Sequence, residues 1–429
     1  MYLRRIAWLA AIIFGCAVGS SIYSFLATAD DQPAVTDSTA AVSPDSALPD
    51  SGSPDPGPLP DQQLEIDAQE QALIDELRLR TAAWAEVIVQ LQHAQMHYNN
   101  GPLATMNQYR DLFRELEPES RRLYEELLAH VVTMLEARPG GAPILWDFVV
   151  RTMEHRGRMD WYEGLGKPAL MLAQVLNEGE LPKFPSVAAR ALICEGMFEE
   201  ARPFLEKMMQ VQEPDEQDIR LLVTLDVLQE SWQAEQERLA NDPDDLPLIE
   251  LQTTRGRVLI ELYEDQAPNT VANFVQLVEE GFYDGLAFYQ VLDRLFAMTG
   301  DPFGDGTGDS GHKIPDESDH PDARSSLRGS LVMAKLAPTG SQTGETIPDT
   351  ASSQLMILLL PITMDTGQYT VFGRVTEGMD AISYLNRQTL EGKSEDQITA
   401  PPDRIVTATV IRKRDHDYAV RYVAPPQTP

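Results

Sequence analysis

Cysteine is nearly missing from this 429-residue chain: only Cys16 and Cys194 occur. That count excludes a disulfide framework, and Cys194, the one in the body of the chain, reads as a small buried apolar residue. Basic residues are scarce as well, with 34 Lys and Arg against 67 Asp and Glu and a formal charge of −33. Sequence-independent binding to nucleic acid needs Lys and Arg to displace the counterions of the phosphates, so nucleic acid is not an expected partner. Apolar residues are not lacking. At 43% of this length they supply cores for two or three domains.

A long charge-free stretch lies near the N-terminus. Arg4 and Arg5 precede the apolar stretch Ile6–Leu26, and residues 1–29 end in Ala27-Thr28-Ala29, the pattern of an export signal. Two outcomes stay open. Ala27 and Ala29 fit a small-residue cleavage site, yet the stretch 6–26 at 1.5 Å per residue reaches about 31 Å, enough to anchor in a bilayer. Lipid attachment through Cys16 is disfavoured by the bulky Phe14 beside it. In either outcome the arginines stay cytoplasmic and the rest lies outside, anchored to the cytoplasmic membrane and facing outward, or secreted or periplasmic. Residues 30–62, rich in Pro, Asp and Ser without Lys, Arg or aromatics, read as a disordered tether.

Residues 63–240 carry helical periodicity. Trp84, Val87, Ile88 and Leu91 recur at i, i+3, i+4 and i+7, and Leu123, Leu127, Leu128 and Val131 repeat the pattern. Breaks at Asn99-Asn100-Gly101-Pro102, Arg138-Pro139-Gly140-Gly141 and Glu178-Gly179 divide the stretch into helical hairpins. Residues 188–215 resemble part of a tetratricopeptide repeat, with Gly196, Phe198, Ala201 and Leu205 at its packing positions and Pro214 after the second helix. The flanking hairpins match poorly, so an irregular helical domain and a true array both remain open. Such a domain could dock a protein partner. His93 and His97 lie four apart on a predicted helix, but no third ligand accompanies them and no metal is expected.

After Asn241-Asp242-Pro243-Asp244-Asp245 the pattern changes to short strands: Ile249–Thr253 and Arg257–Leu262 flank a turn, and an amphipathic helix follows from Pro268. The segment TTRGRVLIELYEDQAPNTVANFVQLVEEGFYDGLAFYQVL (253–292) closely resembles the opening of a cyclophilin-type peptidyl-prolyl isomerase domain. GDPFGDGTG (300–308), HKIPDE (312–317), GSLVMA (329–334), SSQ (352–354) and YTVFGRVTEGMDAI (369–382) continue the match in the family's order, so the resemblance covers nearly all of 247–415. It implies a closed eight-stranded antiparallel β-barrel with two capping helices, a substrate groove on the outer face, and no cofactor or metal. The expected layout is therefore multidomain: 1–29 signal or anchor, 30–62 tether, 63–240 helical, 241–415 cyclophilin-like, 416–429 tail. The glycines at 304–308 read as turn residues, since the run lacks the Lys and Ser/Thr of a phosphate-binding loop.

The groove departs from the family. Where the family usually reads F-H-R-V-I-x-x-F-M-I-Q-G-G-D, this chain reads FYQVLDRLFAMTGD (288–301). The resemblance then places Gln290 at the catalytic arginine position, Leu295 and Phe296 at the pocket phenylalanine and methionine, and Met298 at the backbone-binding glutamine. Ala334 keeps the family's alanine and Lys335 replaces its asparagine, Gln354 is kept, Met356 stands for a pocket phenylalanine, and Met364 and Tyr369 fall near a pocket leucine and a histidine. About ten extra residues around Gly340–Gly344 should overhang the groove. The pocket stays apolar while the polar clamp is rewritten.

Two functions compete on this reading: an exported prolyl isomerase and folding helper of reduced activity, acting on proline-containing polypeptides, and a catalytically degenerate peptide-binding, chaperone or adaptor module. Both place the body of the chain outside the cytoplasmic membrane. Protease added to intact spheroplasts should therefore degrade the protein downstream of residue 30, and full protection would overturn that topology.

Overall fold

The computed structural model describes residues 68–140, 143–176, 181–338, 345–363, 368–389 and 401–424. The predicted export segment and tether lie outside these residues. Among the described residues no helix is long and apolar enough to cross a membrane. The chain forms two compact units, Met1–Ile88 and Val89–Pro429, with the boundary inside helix α1 (Ala68–Asn100).

The predicted break at Asn100-Gly101-Pro102 separates α1 from α2 (Leu103–Ala137), and the Gly101 N–H donates to His97 O at 2.8 Å. His93 and His97 lie against the ring of Tyr109, with the His97 and Tyr109 centroids 4.8 Å apart. Then come α3 (Pro143–Arg158), α4 (Gly166–Ala173), α5 (Phe184–Cys194), α6 (Phe198–Met208) and α7 (Glu216–Leu239). The hairpin of α5 and α6 coincides with the tetratricopeptide-like stretch. Gly196 joins its helices at φ +79°, and a Cβ there would lie 2.5 Å from the Trp232 Nε1 of α7, so α7 packs closely over the turn. Asp215 caps α7, its side chain accepting from the Gln217 N–H.

The strands are β1 (Leu248–Thr253), β2 (Gly256–Leu262), β3 (Gln290–Leu292), β4 (Phe296–Thr299), β5 (Ser330–Met333), β6 (Leu355–Leu358), β7 (Val371–Glu377) and β8 (Ile405–Arg412), all paired antiparallel. The expected closed barrel is corrected here. The eight strands form a half-barrel in the order β3-β4-β6-β5-β7-β2-β1-β8, and the end strands share no ladder. β3 is only three residues long, so the chain beside it meets the approach to β8 through the isolated bridge Ala287–Arg404 and a 2.8 Å bond from Phe288 N–H to Asp403 O.

Two capping helices are present, α8 (Pro268–Glu279) and α9 (Met379–Ser383). Val271, Phe274, Val275 and Val278 of α8, one turn apart along its face, pack on Phe372, Ile357, Leu331 and Ile260 of the sheet. These residues alternate along their strands with others on the opposite face, and β5 and β6 are buried at every position. Their outer face carries a second cluster of Tyr263, Val332, Met356, Leu358 and Val371, and Leu239 at the end of α7 packs against it.

Beside that contact the Arg324 guanidinium, in a side chain only 1% exposed, lies 3.8 Å over the Tyr263 ring. It donates to Glu235 of α7 at 2.9 Å and to Asp242 at 2.8 Å. Residues 413–424 also return to the sheet domain: the Arg421 N–H donates to Asn269 Oδ1 at 2.7 Å, and the Val423 N–H to Lys313 O at 2.8 Å.

Removing one member of a buried ion pair leaves its partners desolvated and uncompensated, at a cost of about 3–5 kcal/mol. Arg324→Ala should lower stability by about that amount in denaturant unfolding, and adding Glu235→Gln should recover part of it. A loss below about 1 kcal/mol would show that the helical segment and the sheet are not held together here.

Candidate active-site groove

The register builds the groove. Gln290 on β3 pairs with Met298 on β4, Met298 with Met356 on β6, and Met356 with Val332 on β5. Residues paired across antiparallel strands share a face, so these four form one row across the outer side of the sheet. One pair further along, Phe296 faces Leu358, and Phe296, Met298 and Tyr369 all pack on the outer cluster that contains Met356. The intervening Val291 and Ala297 point into the core, so a one-residue slip would exchange the two sets. Gly300 ends β4 at φ +91°, where a Cβ would lie 2.1 Å from Ser353 O, so the strand can approach Ser353 and Gln354 only with glycine there.

Gln290 is half-buried, and among the described residues none hydrogen-bonds its carboxamide, which leaves both its N–H donors for a ligand. Gln354 differs. Its Nε2 donates to Gly308 O at 2.7 Å and to Gly306 O at 3.1 Å, and its Oε1 accepts from the Tyr289 hydroxyl at 2.6 Å. The loop it holds is organised from the other side by Asp301, whose carboxylate accepts from the N–H groups of Phe303 at 2.8 Å and Asp305 at 3.0 Å. The glycines at 304–308 are thus turn residues around one buried carboxylate, and Gln354 is bound to them. Burial, reinforced by the negative charge of Asp301, pushes the Tyr289 hydroxyl well above its ordinary pKa, so it stays a neutral donor to Gln354.

The remaining predicted residues fall in different places. Lys335 does not present its charge to solvent: its side chain is 1% exposed, and its Nζ donates to Asp316 at 2.6 Å. Ala334 follows β5, and its N–H donates to Gln354 O at 3.0 Å. Leu295 stands in the β3–β4 turn, half-buried, with its carbonyl accepting from the Leu359 N–H at 2.8 Å. Met364 lies outside the described residues. The Tyr369 hydroxyl is raised above its usual pKa by burial. Of the extra residues near 340, the described limb folds on itself, the Ile347 N–H donating to Leu336 O at 2.8 Å, and Thr346 lies 3.5 Å from Gln368 O, next to Tyr369.

The row Gln290, Met298, Met356 and the adjoining Phe296 and Tyr369 are therefore brought together; Lys335 and Gln354 are engaged elsewhere. Sequence reasoning missed Tyr289, which directly precedes Gln290 and whose tyrosine hydroxyl was the available signal. It also missed Leu239, which reaches the outer cluster from a helix in a different segment and left no local signal.

Residues 248–410 match the family described as cyclophilin type peptidyl-prolyl cis-trans isomerase/CLD. The peptidyl-prolyl cis-trans isomerase ppi1 of Schizosaccharomyces pombe is 40% identical over 166 residues, which are 38% of this chain and 98% of that protein. A peptidyl-prolyl cis-trans isomerase of Helicobacter pylori is 34% identical over 139 residues, 32% of this chain and 78% of that protein. Among solved structures, a Cryptosporidium parvum cyclophilin type isomerase crystallised in the presence of the dipeptide Ala-Pro is 25% identical over 38% of this chain and 98% of that one, with a TM-score of 0.31. A relative matched at 40% identity over almost its whole length, in the segment where the register builds the outer-face row, places the chain in the cyclophilin-type peptidyl-prolyl cis-trans isomerase family.

Proposed function

We propose that the chain is an exported prolyl isomerase of reduced activity, acting on proline-containing polypeptides. The observation that carries the reading is the row of Gln290, Met298 and Met356, a neutral donor with no described partner beside an apolar outer face. Turning a prolyl peptide bond crosses a barrier of roughly 20 kcal/mol, most of it lost amide resonance. A groove accelerates it by binding the twisted bond better than either planar form, seating the proline ring on apolar side chains and donating a hydrogen bond near the prolyl nitrogen as its lone pair localises. Met298, Met356 and Phe296 fill the first role and Gln290 the second. No proton transfer or covalent step is needed.

The reduced rate follows from the donor. A guanidinium gives forked, charge-assisted bonds, whereas a carboxamide gives only neutral ones. The difference is on the order of 1–2 kcal/mol of transition-state stabilisation. That is roughly a five- to thirtyfold loss of rate. Met298 adds to it, because a thioether cannot fix the peptide backbone as an amide can. Export is supported by the N-terminal Arg4-Arg5 and the apolar stretch after them. The competing reading, a peptide-binding module without catalysis, draws on the engagement of Gln354 and Lys335 away from the groove.

Gln290→Arg should raise kcat/KM in a protease-coupled prolyl assay by about five- to thirtyfold. Gln290→Arg with Met298→Gln should add to the gain and lower KM. No gain in either variant, with peptide affinity intact, would support the binding module and overturn the isomerase reading.

A further inference from the structure

β3 is an edge strand of three residues, so the place of Gln290 depends on what holds the turn Asp293-Arg294-Leu295 that joins it to β4. That turn is gripped by residues of the helical segment. Arg294 sits at φ +62°, a left-handed conformation unfavourable for a side chain of its size, and its N–H donates to Asp160 Oδ2 at 2.7 Å. Its guanidinium pairs with Asp215, the cap of α7. Asp160 is 1% exposed and follows α3 at φ +56°. It also accepts from Arg387 at 2.9 Å and from the Tyr162 hydroxyl at 2.9 Å. Arg387 bonds in turn to Asp293 of the same turn, and its neighbour Gln388 exchanges two backbone bonds with Val291 of β3. The Asp215 carboxyl lies below its ordinary pKa: burial raises it, but Arg190 and Arg294 outweigh that, so it stays charged.

We propose that Asp160 and Asp215 are positioning residues for prolyl isomerisation: by holding Arg294 they fix the β3–β4 hairpin, and with it the Gln290 donor, from outside the sheet domain. This rests on the isomerase reading above. The twisted bond tolerates little misplacement of its donor, since a shift near 1 Å costs up to about a hundredfold in rate. The grip does not touch the apolar row, so peptide affinity depends on it less than turnover does.

The full chain is compared with Asp160→Asn and Asp215→Asn. The second keeps a good helix cap and changes a partly exposed side chain, so it serves if the first fails to fold. Two readouts are taken with a prolyl peptide: kcat against KM, and deuterium exchange of the amides of 290–299 against those of β1, β2 and β8. We expect kcat to fall about three- to tenfold with KM changed by less than about twofold, and exchange to accelerate in 290–299 alone. Unchanged kcat and unchanged hairpin exchange in a folded variant overturn the proposal, as does acceleration spread evenly over all strands. A wild-type chain without turnover refutes the isomerase reading instead, and the exchange then tests the grip by itself.

Discussion

A sheet apolar on both faces must be covered on both, and most of this architecture answers that requirement. β5 and β6 are buried at every position, with α8 closing the inner side and the outer side carrying Tyr263, Val332, Leu358 and Val371. α7 supplies the missing cover at one end through Leu239. The same apolar surface continues into Met356, Met298 and Phe296. Groove and helix dock therefore share one apolar surface.

The joint between helices and sheet is largely ionic, which matches a chain so rich in carboxylates. Arg121 bonds to Asp380, Arg255 to Glu117, Arg328 to Glu163 and Arg324 to Glu235. Such pairs repay the desolvation of their buried arginines only in good geometry. Their environments differ. Burial raises the Glu117 carboxyl above its ordinary pKa against the pull of Arg255 and Arg121, whereas at Glu163 the pull of Arg328 outweighs burial and lowers it. Acidification reaches a group with a raised pKa first, so the contacts around Glu117 are the first of the two to lose their charge as pH falls.

Much of the groove was legible in the sequence because strand register turns spacing into position. Resemblance to the family's motif named Gln290, Phe296 and Met298, and the observed register puts them on one face and Val291 and Ala297 on the other. The turn glycines at 304–308 were readable as well, whereas the role of Asp301 in collecting the loop's N–H groups came only from the structure. Engagements between distant segments were not readable. That Gln354 spends its amide on Gly306 and Gly308, or Lys335 its charge on Asp316, follows from where loops return, and Arg294 and Asp160 are 134 residues apart. Barrel closure failed as an expectation for a related reason: resemblance gives the number of strands, while closure depends on how many residues the end strands have left to pair.

α7 also sets how freely this chain can be recombined in evolution. Its cap Asp215 touches the β3–β4 turn, and Glu235 and Leu239 touch Tyr263 and its surroundings, two places separated along the helix by about 30 Å at 1.5 Å per residue. A relative that consists of the isomerase segment alone needs no matching surface there. Here a cut between 243 and 247 would leave Arg324 without both its carboxylates, and Leu358, Val332 and Tyr263 without Leu239. The two segments are thus not interchangeable cassettes: exchanging either one demands matching changes along the whole length of a single helix.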